Sequence, residues 1–102
     1  MNKHVAEIVT FHLADGVKKQ DFVTLMQKTE GFVRAQSGFV HRQLSQGSDG
    51  SWTDYVVWEN MAKAQAVAQS FMQQDFAPMV MAAMAPDTAK MRHEDVLWMM
   101  EA

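Results

Sequence analysis

The stretch Asp49–Asn60, DGSWTDYVVWEN, decides how this chain is read. Asp-Gly at 49–50 marks a tight turn, and the β-branched and aromatic residues after it favour a strand over Ser51–Glu59. Asn60 suits a helix N-cap, because its side chain can accept an amide hydrogen from the first turn. Alternation places Trp52, Asp54, Val56 and Trp58 on one face of the strand. Thr53, Tyr55, Val57 and Glu59 fall on the other. Both faces carry apolar or aromatic residues, so each needs cover, and one of them also carries Asp54.

Working outward, Val5–Leu13 (VAEIVTFHL) reads as a strand that is apolar on both alternations, followed by an Ala-Asp-Gly turn at 14–16. From Lys18 to Gln36 the period lengthens. Phe22, Leu25, Met26, Thr29, Phe32 and Val33 recur at three and four, which predicts a helix ended by Ser37-Gly38. Phe39–Ser45 is a second strand, and residues 46–50 form the hairpin loop that leads into Asp49–Asn60. Met61 to about Gln74 is a second helix with Ala64, Val67, Ala68, Phe71 and Met72 inward. Pro78 predicts a break near Gln74–Phe76 and a short helix to about Met84. Lys90–Met99 is the last strand.

The order β-α-β-β-α-β is that of the ferredoxin-like split βαβ arrangement, an α+β fold. It is a four-stranded antiparallel sheet with helices on one face. The other face is expected to expose Val5, Val9 and Phe11 with Tyr55 and Val57. A patch of that kind marks an interface, and a two-fold homodimer joined sheet to sheet is the simplest cover. The length of 102 residues suits one domain, which would bury only about two-thirds of its unfolded surface and gain from a partner.

Composition narrows the function classes. Net charge is −3 and the cations are scattered, so nucleic acid is not an expected partner. There are no cysteines, which removes disulfides, thiolate metal sites and cysteine nucleophiles. The N-terminus lacks a signal-peptide core and no run nears the roughly 18 apolar residues of a membrane span, so a cytoplasmic protein without membrane contact is expected. Met61, Met72, Met79, Met81, Met84 and Met91 cluster in the second half. Ordinary core packing is the plainer account of them, and a ligand-shaped wall is the other.

Gly38-Phe39 opening a strand, Asp49-Gly50 in the turn, and Trp58-Glu59-Asn60 at a strand-to-helix joint resemble the antibiotic biosynthesis monooxygenase-like superfamily. The resemblance runs along nearly the whole chain and implies a dimeric α+β barrel on the ferredoxin-like fold. Some members are cofactor-independent monooxygenases of aromatic polyketides or quinols, some degrade haem, and others isomerise small metabolites. In the polyketide group an asparagine stands four residues before the tryptophan, and both line a cleft between sheet and helices. Trp58 matches the tryptophan. Asp54 stands at the asparagine position and Ala64 at that of a second-helix tyrosine. The positions that define the haem-degrading branch fall near Ile8, at Ala68 or Gln69, and at Pro78–Val80. None matches, so haem is not expected.

The resemblance also implies that Trp52, Asp54, Val56 and Trp58 face the helices, with Ile8, Thr10 and His12 of the first strand beside them. Asp54 among apolar neighbours is then a candidate general base. Alternatively it is solvated, or paired with His12, Arg42 or Arg92. His12, His41 and His93 lie on different strands. They could pass protons if they converge with Asp54, and are otherwise surface or interface residues. No HxxxH or HExxH spacing supports a metal site.

The expected catalytic residues are therefore Asp54 and His12. Trp58, Thr10, Val56, Phe71, Met72, His41 and His93 are expected to bind substrate, with no metal and no cofactor. The expected function is a cofactor-free monooxygenase-like enzyme acting on a small aromatic or quinol-type molecule. The alternatives are a non-enzymatic dimeric binding or stress-associated protein whose cleft is filled by methionine and phenylalanine, and a small-metabolite isomerase.

Overall fold

The computed structural model describes residues 3–102. The strands are β1 (Val5–Phe11), β2 (Phe39–Gln46), β3 (Trp52–Trp58) and β4 (Lys90–Asp95). The helices are α1 (Lys19–Gln27), α2 (Glu30–Arg34), α3 (Met61–Phe71) and α4 (Ala77–Ala82). One 4-stranded sheet runs in the order β2-β3-β1-β4, with each neighbouring pair antiparallel. This is the ferredoxin-like order anticipated from the sequence.

Three boundaries differ from expectation. The first helical segment is not continuous, because it breaks at Lys28–Thr29 into α1 and α2. Thr29 turns its hydroxyl back to the Met26 carbonyl at 2.7 Å and is wholly buried. The second segment ends at Phe71, before the expected Gln74, and Pro78 sits in the first turn of α4, where no amide is missed. β4 stops at Asp95 instead of Met99. Its ladder to β1 ends at the Val5–Asp95 pair, and beyond it Leu97, Trp98 and Met100 are exposed.

The register corrects the side assignment of the first strand. Val9 pairs with Asp54 and Phe11 with Trp52. Directly opposed residues of an antiparallel pair share a face. Val5, Glu7, Val9 and Phe11 therefore lie under the helices with Trp52, Asp54, Val56 and Trp58. Ile8 and Thr10 point to the open face, contrary to expectation, and His12 beyond the strand is exposed. The open face consequently lacks Val5, Val9 and Phe11. Its apolar residues are Ala6, Ile8 and Val57, flanked by Val40, Tyr55 and Val96. Volume accounts for the choice. Phe11 fills the space between Phe22 and Trp52, with ring centroids 5.4 and 6.4 Å away, which Ile8 or Thr10 would leave open.

The two motifs that carry the family resemblance meet in one joint. The Glu59 amide donates to the Gly38 carbonyl at 2.8 Å, and the Phe39 and Trp58 rings pack edge to face at 5.8 Å. Asn60 caps α3 by accepting from the Lys63 amide at 2.9 Å. The Lys63 stem lies over Gly38, where φ is +90° and a Cβ would collide with it. Only glycine combines that backbone with that clearance.

Phe11→Ala is expected to cost about 3–5 kcal/mol by cavity formation. His12→Ala, on an exposed side chain, should stay within about 0.5 kcal/mol. Urea denaturation of both variants reads the side assignment of β1 directly, and equal costs would contradict it.

Candidate functional site

Two apolar clusters fill the ends of the layer between sheet and helices. One is built around Phe11, Phe22 and Trp52, the other around Val33, Trp58 and Ala64. Between them lies an open cavity of about 320 Å³. That volume falls within the range of small-molecule sites, roughly 300–1,000 Å³. β1 and β3 supply its floor through Glu7, Val9, Asp54 and Val56, with Trp58 in the wall. Val67, Ala68 and Phe71 of α3 and Val80 of α4 enclose it. Met72, Met81 and Met91 line it and are also about half exposed, so they form its mouth. Four of the clustered methionines, counting Met84, thus belong to a cavity wall, while Met61 and Met79 do not line it.

Each strand contributes one ionisable residue to a polar row beneath the helices: Arg42 from β2, Asp54 from β3, Glu7 from β1 and His93 from β4. The row forms two pairs. Arg42 grips Asp54 with both arms, Nε to Oδ1 at 3.0 Å and Nη2 to Oδ2 at 2.9 Å. Its third nitrogen, Nη1, donates to Thr29 Oγ1 at 2.8 Å. The break between α1 and α2 brings that hydroxyl into place. Planar two-point pairing of this kind is a guanidinium property that lysine would not reproduce. Glu7 Oε2 lies 3.2 Å from His93 Nε2. Among the described residues, Glu7 Oε1 makes no hydrogen bond to the protein.

Burial pushes the Glu7 carboxyl above its ordinary value of 4.5. The hydrogen bond and charge of His93 oppose the rise, the Asp54 carboxylate adds to it, and Arg42 works against it. Desolvation prevails because the guanidinium is spent on Asp54 and no lysine or arginine pairs with Glu7.

Of the residues singled out from the sequence, Asp54, Val56, Trp58, Phe71 and Met72 line the cavity together. His93 stands behind Glu7 and is not part of the wall. Thr10, His12 and His41 are not brought to the cavity. Thr10 and His41 follow the open-face alternation, and His41 Nε2 engages Gln43 Oε1 at 2.9 Å. His12 instead ties the end of β1 to the loop before β4, through Thr88 Oγ1 on its amide and the Ala85 amide on its carbonyl. Asp54 adopts the paired state, with Arg42 as partner, and both its oxygens are occupied.

Glu7 lines the cavity and is not among the residues expected there from the sequence. It is the lone carboxylate among Val5, Val9 and Phe11, the alternation expected to form the dimer face. Among the described residues Trp58 Nε1 is a buried donor without a partner, a state that costs about 1–3 kcal/mol until something accepts from it. No three His, Cys, Asp or Glu side chains among the described residues are placed to share a metal ion. No helix among them is long and apolar enough to cross a membrane.

No protein-family model matches the chain, and no curated protein matches it. Solved structures do share its fold. A candidate antibiotic biosynthesis monooxygenase from Bordetella bronchiseptica superposes with TM-score 0.78 at 17% identity, covering 94% of this chain and 99% of that one. SnoaB from Streptomyces nogalater, described as a cofactor-independent oxygenase and compared in a mutant form, gives 0.75 at 20% identity, with 97% and 98% covered. A further candidate monooxygenase, from Nitrosomonas europaea, gives 0.74 at 13%, with 96% and 94% covered. The chain therefore has the fold of the antibiotic biosynthesis monooxygenase-like proteins that its sequence resembles.

Asp54→Ala is expected to destabilise the protein by about 3 kcal/mol, because it strands the Arg42 guanidinium in a mostly buried site. The double replacement Arg42→Met with Asp54→Leu should recover most of that loss in urea melts. A raised Glu7 pKa has the opposite consequence for stability. The favourable contribution of its protonation is fully present below pH 4.5 and is lost as pH rises through the folded-state value. Glu7→Gln should therefore melt above the wild type at neutral pH. The gap should close as pH falls toward 4.5.

Proposed function

We propose that the cavity is the active site of a cofactor-independent monooxygenase-like enzyme acting on a small aromatic or quinol-type substrate. The observation that carries this reading is an open, mostly apolar cavity with its charged groups on the floor and, as Lys90, at the margin. Such a site takes a flat apolar molecule and meets its few polar atoms at one end. The likeness of the fold to SnoaB, itself described as a cofactor-independent oxygenase, supports the same reading. The open volume counts against the alternative of a cleft filled by methionine and phenylalanine.

In this mechanism the substrate supplies the electrons. Removal of a proton leaves an electron-rich anion that reduces O₂ and forms a carbon–oxygen bond. Loss of water from the hydroperoxide then leaves a carbonyl, with one oxygen atom retained and the other released. The protein contributes a dry pocket and fixed charges. Val56, Trp58, Phe71 and Met72 clasp the ring. Asp54 holds the Arg42 guanidinium at the floor, where its charge favours the substrate anion.

The same reading includes a homodimer formed sheet to sheet. On the open face Ala6, Ile8 and Val57 form a cluster already buried within the single chain, which leaves the partly exposed Val40 and Tyr55 at its edge for a partner. Leu97, Trp98 and Met100, in the segment that follows β4, are exposed apolar residues as well. Sedimentation at micromolar concentration should give twice the chain mass, and a stable monomer would remove the dimer from the proposal.

Oxygen uptake with a panel of reduced naphthoquinols and anthrones tests the activity. Wild type should consume O₂ above the uncatalysed rate and place one atom of labelled oxygen in the product. Ala68→Trp, which fills the cavity without touching its floor, should lower the rate at least about tenfold with the fold intact. Uptake equal to the uncatalysed rate across the panel would overturn the enzyme reading.

A further inference from the structure

We propose that the Glu7–His93 pair is the proton acceptor of this cavity, and that its ligand is a planar aromatic with an ionisable hydroxyl seated on Glu7 Oε1. The inference rests on the reading of the cavity as a site for small aromatic molecules, and adds which group takes the proton and which ligand atom gives it. Two carboxylates reach the cavity, and their surroundings assign them different work. Asp54 has both oxygens held by Arg42 at 3.0 and 2.9 Å, so accepting a proton would break a two-point ion pair. Glu7 spends one oxygen on His93 at 3.2 Å and keeps the other free of protein partners among the described residues.

The ionisable groups around Glu7 are Asp54 and His93 on the neighbouring strands and Arg42 on β2 beyond β3, with Lys90 at the cavity margin. The helical elements present only apolar side chains to the cavity: Met26, Val33, Val67, Phe71, Val80 and Met81 among them. A carboxylate so placed gains by accepting a proton, and burial already moves it in that direction. In the proposed step the ligand O–H bond breaks and its proton moves to Glu7 Oε1. The electron pair stays on the ligand oxygen, and the proton remains within the hydrogen-bonded Glu7–His93 pair. The resulting oxyanion faces a floor that carries the Arg42 guanidinium. No electrons leave the ligand in this step, so no oxidant is involved.

The test uses 4-nitrophenol, whose ionised form absorbs in the visible, and 4-nitroanisole, which has the same ring and cannot ionise. Binding is read by tryptophan fluorescence and by ligand NMR, at a pH where free 4-nitrophenol is mostly neutral. Wild type should bind both probes and ionise the bound phenol at least about tenfold more than bulk water does. Glu7→Gln should bind 4-nitroanisole as well as wild type does, which reports an intact cavity, and leave the bound phenol neutral. A phenol that binds wild type but stays neutral would overturn this inference and leave the cavity reading standing. Ionisation that survives in Glu7→Gln would do the same. Failure of wild type to bind either probe would remove both.

Discussion

The pairing of Val9 opposite Asp54 at the centre of the sheet governs the rest of the molecule. A sheet with helices on one face must place every second side chain of each strand beneath them. Once Val9 and Asp54 share a face, Phe11 meets Trp52 at one end and Val5 meets Trp58 at the other. Glu7 then has no choice but to lie under the helices, opposite His93. A slip of one residue would carry Phe11 to the open side and bring Thr10 inward, exchanging a filled aromatic cluster for a void. The core and the polar row are thus fixed by one register.

The cost of that register is a carboxylate without a lysine or arginine partner in an apolar layer. Arg42 satisfies Asp54 and, through Thr29, the end of α1. Glu7 receives only an imidazole. A sequence optimised for stability would place valine or glutamine there. A group kept at a cost to stability inside a cavity is where chemistry is to be sought, since environments that raise a carboxyl pKa also make it a better base. The two carboxylates thus differ in what their surroundings leave them: Asp54 has both oxygens engaged by Arg42, and Glu7 has one engaged by His93.

Much of the fold could be read from the residues, and the reasons for the failures are specific. The 49–60 stretch carried its turn, strand and cap plainly, because Asp-Gly, the alternation and Asn60 are local signals. The alternation of β1 was ambiguous, since Val5, Val9 and Phe11 on one side compete with Ala6 and Ile8 on the other. Only the pairing with β3 and the volume available to Phe11 resolve it, and neither is local. The break at Thr29 escaped notice for a similar reason: its hydroxyl serves an arginine 13 residues further on, across the layer. Trp58, Val56, Phe71 and Met72 line the cavity, the strand residues on the face that the family resemblance implies. Glu7 shares the ambiguity of β1, and its meeting with His93 depends on the β1–β4 register, which no local signal carries.

The polar row has a second consequence, at its two ends. In the order β2-β3-β1-β4 the outer strands are β2 and β4, and they contribute Arg42 and His93. An edge strand with a free row of amides and carbonyls is a template for another chain, and inward-pointing charges on edge strands discourage such growth. A strand added beside β2 or β4 would extend the helix-side layer past a guanidinium or an imidazole, where continuing an apolar layer gains little. Both edge strands of the sheet thus carry an inward-pointing polar side chain, the pattern that discourages pairing with a further strand.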